Sequence, residues 1–461
     1  MLHCFTLGGV SLVYDVHSHS LHEVDDLAWA LLSRGLHLEP EQASSVLLLA
    51  DGYSRQEIEE AQEEIAQLIS EGLLCAPDPY TGYTPPPFIV KALCLNVAHN
   101  CNLSCSYCFA GAGSLGRTDV LMPLATARQA VDFLLSNSGT RRNLEIDFFG
   151  GEPLLNMPVV EATVAYARER GRAEGKKFGF TLTTNALLLD DQVSRFLLEN
   201  GINAVLSIDG RPETHDRLRR THGGKGSHAQ VVSRIMHYLE LHRTWPDPKG
   251  YCYVRGTFTG YNLDFAQEFR YLAGLGIDDI SLEPVVAKSE ADYALLQQHL
   301  PAIAEEYRRL AEDYLEVAAS GREIRLFHFE IDLDGGPCLP KLLSGCGAGH
   351  SYLAVSAQGD LYPCHQFIGR ESFRIGNVSG GALRDDLIEQ FRTAHVYAKA
   401  KCRQCWAKFL CSGGCQAHCQ LENNDILNPP ELACQMMRRR LECALYVRSR
   451  KEQLVNMEKI V

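Results

Sequence analysis

The sequence predicts an α/β protein built around a partial (β/α)6, TIM-like barrel, with a small module before it and a cysteine-rich region after it. Three observations lead there. Six apolar strand segments alternate with amphipathic helical segments between residues 91 and 330, the pattern of a parallel sheet with helices outside it. The chain has 461 residues, too many for one ordinary domain. Charge and cysteine are also unevenly spread along it.

The first 76 residues read as strands and then helices. HCFTL, VSLVYDV and SLHEV are separated by Gly8-Gly9 and by the polar 17-HSHS-20, which are turn signals. A helix follows with Asp25 or Asp26 as its cap, and a second runs from about Ser54 to Ser70. Ser54 with Glu57 three residues on is a capping box, and Gly72 ends that helix. Three strands followed by helices predict a winged-helix module over residues 1–76. The Pro-rich 77-PDPYTGYTPPP-87 reads as a linker over 77–90.

From Lys91 the period changes. The predicted strands are 92-ALCLNVA-98, 144-LEIDFFG-150, 178-FGFTLTT-184, 203-NAVLSID-209, 251-YCYVRGTFT-259 and 279-DISLEPVV-286. Helical periodicity fills the gaps, as in 126-TARQAVDFLLS-136 and 189-LDDQVSRFLLEN-200. A long helix over 301–320 closes the barrel region, 91–330. Function in such a barrel belongs at the C-terminal ends of the strands. From 331 to 461 the periodicity fades, and cysteine and glycine punctuate the chain.

Composition excludes several classes. Apolar residues make up 46% and charged residues 22%, the mix of a globular protein with real cores. No apolar run approaches the ~18–20 residues a membrane helix needs. MLHCFTLGGV lacks the basic-then-apolar pattern of a secretory signal, so a cytoplasmic protein with no membrane partner is expected. The net charge of -13 argues against a nucleic-acid binder. Residues 1–86 carry 14 acidic and 2 basic side chains, whereas the rest balances to within one charge. That is either a solvated helix face or a surface that steers a basic partner. Seventeen cysteines in a large chain without an export signal point to metal rather than to disulfides.

The first cysteine cluster is 101-CNLSCSYC-108, spaced C-x3-C-x2-C just after the first barrel strand. Three thiols this close cannot form one disulfide without leaving an odd one. They can hold three irons of a cubane and leave the fourth iron without a protein ligand. A zinc site with His99 as an additional ligand is the competing reading.

Cys101, Cys105 and Cys108, with Tyr107 before the last of them, resemble the signature of radical S-adenosylmethionine (SAM) enzymes. Downstream, 150-GGEP-153 resembles that family's methionine-binding turn, with Gly150, Gly151 and Glu152 at the cofactor's amino group. Ser207 and Asp209 in 207-SIDG-210 resemble its ribose and carboxylate contacts. Thr183, Thr184 and Asn185 line the same mouth, and Val285 and Val286 resemble the adenine strand. The resemblance implies SAM held on the open iron of a [4Fe-4S] cluster and cleaved by an electron from it. The resulting 5′-deoxyadenosyl radical takes a hydrogen atom from substrate, while the protein positions and shields this chemistry.

The C-terminal region adds Cys346-x12-Gly359-x4-Cys364, then Cys402, Cys405, Cys411 and Cys415 as C-x2-C-x5-C-x3-C, then Cys434. This resembles the SPASM extension of radical enzymes, which binds two auxiliary clusters, for three [4Fe-4S] clusters in all. The resemblance gives Cys346, Cys364 and Cys415 to one, and Cys402, Cys405, Cys411 and Cys434 to the other. The first is short of a ligand. Either Cys338 in 335-GGPC-338 serves, or an iron stays open to a substrate thiolate. A zinc ribbon is the competing reading of the C-x2-C pair. Cys419 and Cys443 carry no assignment, and Cys4, Cys75, Cys94 and Cys252 read as core residues.

The N-terminal module resembles PqqD-like recognition elements, which capture a leader peptide as an added strand. Residues 91–113 and 344–367 most resemble the maturases of SCIFF peptides, which join a cysteine sulfur to a carbon of another residue. The resemblance therefore implies a radical SAM maturase that installs a thioether in a cysteine-rich precursor peptide bearing a leader. Ferredoxin or flavodoxin would be its electron donor. Three alternatives are a maturase that attaches sulfur at an α-carbon rather than farther out, formylglycine formation as in anaerobic sulfatase maturases, and a non-catalytic zinc-dependent peptide-binding protein.

Overall fold

The computed structural model describes residues 1–35, 51–110, 120–334 and 336–458, with side chains to 451. The N-terminal module is an antiparallel meander of β1 (Leu2–Leu7), β2 (Val10–Asp15) and β3 (Leu21–Val24). Helices α1 (Asp26–Ser33) and α2 (Arg55–Ser70) follow. Asp25 caps α1 by accepting from the Ala28 amide, and the Ser54–Glu57 capping box is formed. Strand alternation gives the meander two working faces. Val13 packs with Leu27, Leu31, Ile58 and Ile65 in the module's own core, whereas Leu12 and Tyr14 join the main core.

Six parallel strands form the barrel wall in sequence order: β4 (Ala92–Ala98), β5 (Asn143–Gly150), β6 (Lys177–Thr184), β7 (Asn203–Ser207), β8 (Cys252–Phe258) and β9 (Asp279–Pro284). Their crossovers carry α3 (Leu124–Asn137), α4 (Met157–Ala173), α5 (Asp191–Glu199), α6 (Pro212–Leu218), α7 (His228–Thr244) and α8 (Phe265–Gly274), and α9 (Leu300–Ala319) follows β9. The predicted strands match to within two residues at each end. All seven residues of β4 are buried, as expected of a parallel strand covered on both faces.

The barrel is partial because its edges pair elsewhere. The two-residue β10 (Arg325–Leu326) joins β9. On the other edge β11 (Tyr352–Val355) pairs parallel to β4, followed by antiparallel β12 (Asp360–Tyr362) and β13 (Gly376–Asn377). The cysteine-rich region therefore continues the barrel's own sheet. Short helices follow, and the described residues end on the long helix Glu431–Glu458. Among the described residues no helix is long and apolar enough to cross a membrane.

Residues 77–90 have no helix or strand, yet they form a fastened strap rather than a loose linker. Lys408 Nζ donates to Asp78 Oδ2 at 2.7 Å and Tyr397 Oη to Asp78 Oδ1 at 2.6 Å. Arg392 donates to the Pro85 carbonyl at 2.6 Å, and Tyr80 packs edge-on against Phe409. The meander docks beside the strap: His3 stacks on Trp406 at 3.7 Å between ring centroids, and Glu23 pairs with Arg450. Trp406, Lys408 and Phe409 all lie between Cys405 and Cys411.

Candidate functional site

β4 runs straight into the 101–108 loop, and the GGEP turn at the end of β5 clamps that junction. The Gly151 amide donates to Ala98 O and the Glu152 amide to Asn100 O, each at 2.8 Å. A Cβ on Gly150 would stand 2.1 Å from Ala98 O, and one on Gly151 2.1 Å from Asn100 O. Both positions therefore require glycine for a backbone-to-backbone approach, and Gly150 also adopts φ +135°. The loop is laced on its other side to residues 218–222. Ser104 and Ser106 amides donate to the Arg220 and Leu218 carbonyls, and the His222 ring donates to Cys101 O at 2.7 Å.

Three thiols lie in each other's field there. Burial pushes Cys101 up to about 12, with Glu152 and the other two thiols adding to it, and burial pushes Cys105 up to about 11. Without metal Cys101 and Cys105 are neutral thiols; iron binding would displace their protons. Asn185 Nδ2 donates to Cys101 Sγ at 3.5 Å and to Asn102 Oδ1 at 2.7 Å. The buried Oδ1 of Asn100 finds no donor among the described residues, leaving an acceptor for a ligand. The donor set fits a three-thiolate cluster. It does not enlist His99, whose Nε2 accepts from the Ala357 amide at 3.1 Å.

Glu152 and Asp209 are engaged by protein groups. Glu152 is buried; Oε1 accepts from Thr184 Oγ1 at 2.7 Å and from the Leu154 amide at 3.0 Å, and Oε2 from the Asn185 amide at 2.8 Å. Burial pushes its carboxyl up to about 7 against those hydrogen bonds. Asp209, also buried, accepts from Tyr107 Oη at 2.9 and 2.7 Å and from the Thr257 amide at 3.1 Å. Arg219 donates to Tyr107 Oη at 2.8 Å and to Ser207 O at 3.4 Å. Asp209 thus ties the aromatic residue of the cysteine loop to the end of β7. Thr183 and Ser207 stand half-buried at the mouth.

The C-terminal cysteines fall into two groups. The Cys364 thiol, raised by burial, is raised further by Cys415 and Cys346. Cys402, pushed up to about 12 by burial, feels Cys411, Cys434 and Cys405. Cys338 stands apart, exposed at the start of the helix Leu339–Ser344, and acts on Tyr83. A cavity of about 530 Å³ has Cys402, Cys405, Cys411, Cys415 and Cys434 on one wall, and Arg255, Glu283 and Val285 from the barrel on the other. Phe109, one residue past Cys108, meets His365, one residue past Cys364, with ring centroids 5.2 Å apart.

Residues 95–245 match the Radical SAM superfamily and residues 346–406 match SPASM, an iron-sulfur cluster-binding domain. The chain belongs to the radical SAM superfamily. An uncharacterized protein of Methanocaldococcus jannaschii is 31% identical over 208 residues, 45% of this chain and 67% of that protein. A cysteine-type anaerobic sulfatase-maturating enzyme of Clostridium perfringens is 25% identical over 336 residues, 68% and 86% of the two chains. Native anSMEcpe with bound AdoMet shares the fold at TM-score 0.62 and 20% identity, over 80% of this chain and all of that one. Streptococcus suis SuiB bound to S-adenosylmethionine does so at 0.52 and 17%, over 94% and 98%.

In this radical SAM chain, sequence reasoning missed Arg219, a buried cation inside the mouth. Its only local signal is the basic run 217-RLRR-220, which reads as surface. It also missed that Val285 faces the auxiliary cavity: this buried residue lines the same space as Cys402 and Cys434.

Proposed function

We propose that this radical SAM SPASM protein is a peptide maturase that installs a Cys-derived thioether crosslink in a ribosomally made, cysteine-rich precursor peptide. The observation that carries the reading is the shared cavity, where barrel residues Arg255 and Glu283 face the auxiliary cysteines across about 530 Å³. A peptide entering it would lie between the barrel mouth and the C-terminal metal region. When bound, SAM and the cluster of Cys101, Cys105 and Cys108 supply the radical that takes a hydrogen atom from the peptide. The chain's own residues supply the frame. Gly150 and Gly151 seat the thiol loop, Glu152 fixes the turn against Asn185, and Thr183 and Ser207 border the cofactor's place. Phe109, Phe149 and His365 cluster with ring centroids 4.7–6.4 Å apart and link the thiol loop to the segment after Cys364. Burial pushes His365 down to about 4, so this aromatic cluster carries no charge from it near pH 7.

Cys346, Cys364 and Cys415 would hold one auxiliary cluster, and Cys402, Cys405, Cys411 and Cys434 the other. The N-terminal module would capture the leader. Among the described residues β3 pairs only with β2, so its free edge suits strand addition, and the exposed carboxylates of α2 would steer a basic leader toward it.

The sulfatase-maturating relative supports a second reading, formylglycine formation. Incubation with a cysteine-rich peptide encoded beside this gene separates the two. The thioether reading predicts a product lighter by two hydrogen atoms that keeps its sulfur and loses an alkylatable thiol. A product that has lost sulfur and gained an aldehyde would overturn it.

A further inference from the structure

We infer that Arg217, at the end of α6, and Arg220 and Lys225, on the hairpin after it, form the docking surface for the electron donor, a one-electron carrier protein of the flavodoxin class with an acidic face. This rests on the radical-cluster reading of Cys101, Cys105 and Cys108. The hairpin is closed by a bridge between Arg220 and Gly226, and it covers the outer side of the thiol loop. Leu103 bridges to Thr221. The Ser104 amide donates to Arg220 O at 2.7 Å and the Ser106 amide to Leu218 O at 2.9 Å. The exposed residues of the hairpin thus stand one hydrogen-bonded backbone away from the thiol loop. A cavity of about 450 Å³ opens there, lined by Ser106, Arg217, Arg220, Tyr261, Asp292 and Tyr293. Ser106 lies between Cys105 and Cys108 in the chain, so the cavity reaches the thiol loop itself.

Charge supplies the second observation. Arg217, Arg220 and Lys225 are exposed, and among the described residues no carboxylate pairs with any of them. Nearby cations differ: Arg211 pairs with Glu268 at 2.7 Å and Arg219 with Asp209 at 3.9 Å. Asp216 is engaged by the Ser227 and His228 amides at 2.7 and 2.8 Å. The Arg217 guanidinium lies over the Tyr261 ring, 3.6 Å from its centroid, which holds the head group in place and leaves its charge. In a chain of net charge -13 this unpaired basic patch is a local exception, and it would steer an acidic partner to this face. Electron-transfer encounters use small interfaces, and three cations around one cavity match that scale. The precursor peptide is a poorer occupant, because none of the three cations lines the cavity shared with the auxiliary cysteines. On docking, the reduced carrier loses one electron and the cluster gains it; no bond is made or broken and no proton moves at this step.

The test measures binding of oxidised, acidic flavodoxin to the reconstituted full chain by calorimetry, which reads docking without turnover. Binding to the wild type should weaken as salt rises. The triple variant Arg217→Gln, Arg220→Gln, Lys225→Gln should bind about tenfold more weakly at low salt. Lys225→Glu alone should also weaken binding. Lys249→Glu, which reverses an exposed cation just before β8, should not. 5′-Deoxyadenosine formation driven by reduced flavodoxin should fall in the triple variant, while formation driven by dithionite, which needs no docking, keeps the wild-type rate. No flavodoxin binding by the wild type, unchanged binding by the triple variant, or equal losses in Lys225→Glu and Lys249→Glu would each overturn the inference. So would loss of precursor-peptide binding with flavodoxin binding intact, which would give the surface to the peptide. Should the triple variant fail to fold by circular dichroism, Lys225→Glu decides, since among the described residues the Lys225 side chain holds no hydrogen bond or ion pair. A wild type that binds flavodoxin but forms no 5′-deoxyadenosine with dithionite would instead overturn the radical-cluster reading, a result distinct from a dithionite-active wild type indifferent to these cations.

Discussion

The barrel mouth and the auxiliary cavity both gather cysteines, but different forces hold them. In the mouth three thiols sit on one short loop that regular structure grips from every side: β4 behind it, the GGEP turn across it, and Tyr107 tied to Asp209 and Arg219. In the cavity the thiols come from the irregular stretch 402–419 and from Cys434 near the start of the last helix. The helices there are short, as in Ala400–Arg403 and Lys408–Cys411, and Lys399 is buried without a carboxylate partner among the described residues. The mouth is built by the sheet and can await its cluster. On the proposed auxiliary-cluster reading the cavity would be completed by its metal, because binding energy at such sites is folding energy.

That contrast is broken most severely by removing the mouth's thiols. Replacing Cys101, Cys105 and Cys108 by Ala should abolish 5′-deoxyadenosine formation, read by chromatography, while the auxiliary iron stays. Chelating all iron from the wild type tests the other half. Hydrogen exchange should rise by about a hundredfold or more across residues 400–434 and change little in β4, β5 and β6. Equal loosening of both regions would erase the distinction.

Smaller changes sharpen it. Tyr107→Phe deprives buried Asp209 and Arg219 of their shared hydroxyl, a loss of about 1–3 kcal/mol, seen as a lower melting temperature with the auxiliary iron intact. The smallest effect is a pH dependence of the barrel wall. Burial, reinforced by Glu145, pushes the Asp147 carboxyl from 3.8 up to about 7. Between those values the folded chain binds more protons than the unfolded one, so stability falls as pH rises and levels off above about 7. Denaturant titrations across that range should show a flatter profile for Asp147→Asn than for the wild type.

The barrel was legible because its strands are near-continuous apolar runs and its helices amphipathic; β4 agrees with the expected 92–98 residue for residue. The thiol loop and the GGEP turn were legible because each packs its chemistry into a few adjacent residues. Strands β10 and β13 were not, since two residues carry no periodicity. The strap at 77–90 looked like a linker because prolines hide how firmly Asp78 is held by Lys408, which lies 330 positions away. Arg219 and Lys399 were illegible for the same reason: burial of a cation is decided by distant partners rather than by neighbours in sequence. The partition of Cys346, Cys364 and Cys415 from Cys402, Cys405, Cys411 and Cys434 comes from the resemblance alone, because spacing in the sequence does not divide ligands between two clusters.

The central claim is that the mouth draws a hydrogen atom from a peptide lying between it and the auxiliary cavity. The most direct measurement follows deuterium from a perdeuterated, cysteine-rich precursor peptide during turnover of the reconstituted enzyme with SAM and reductant. The account predicts 5′-deoxyadenosine that carries deuterium in step with modified peptide. Modified peptide formed while 5′-deoxyadenosine stays free of deuterium would contradict it.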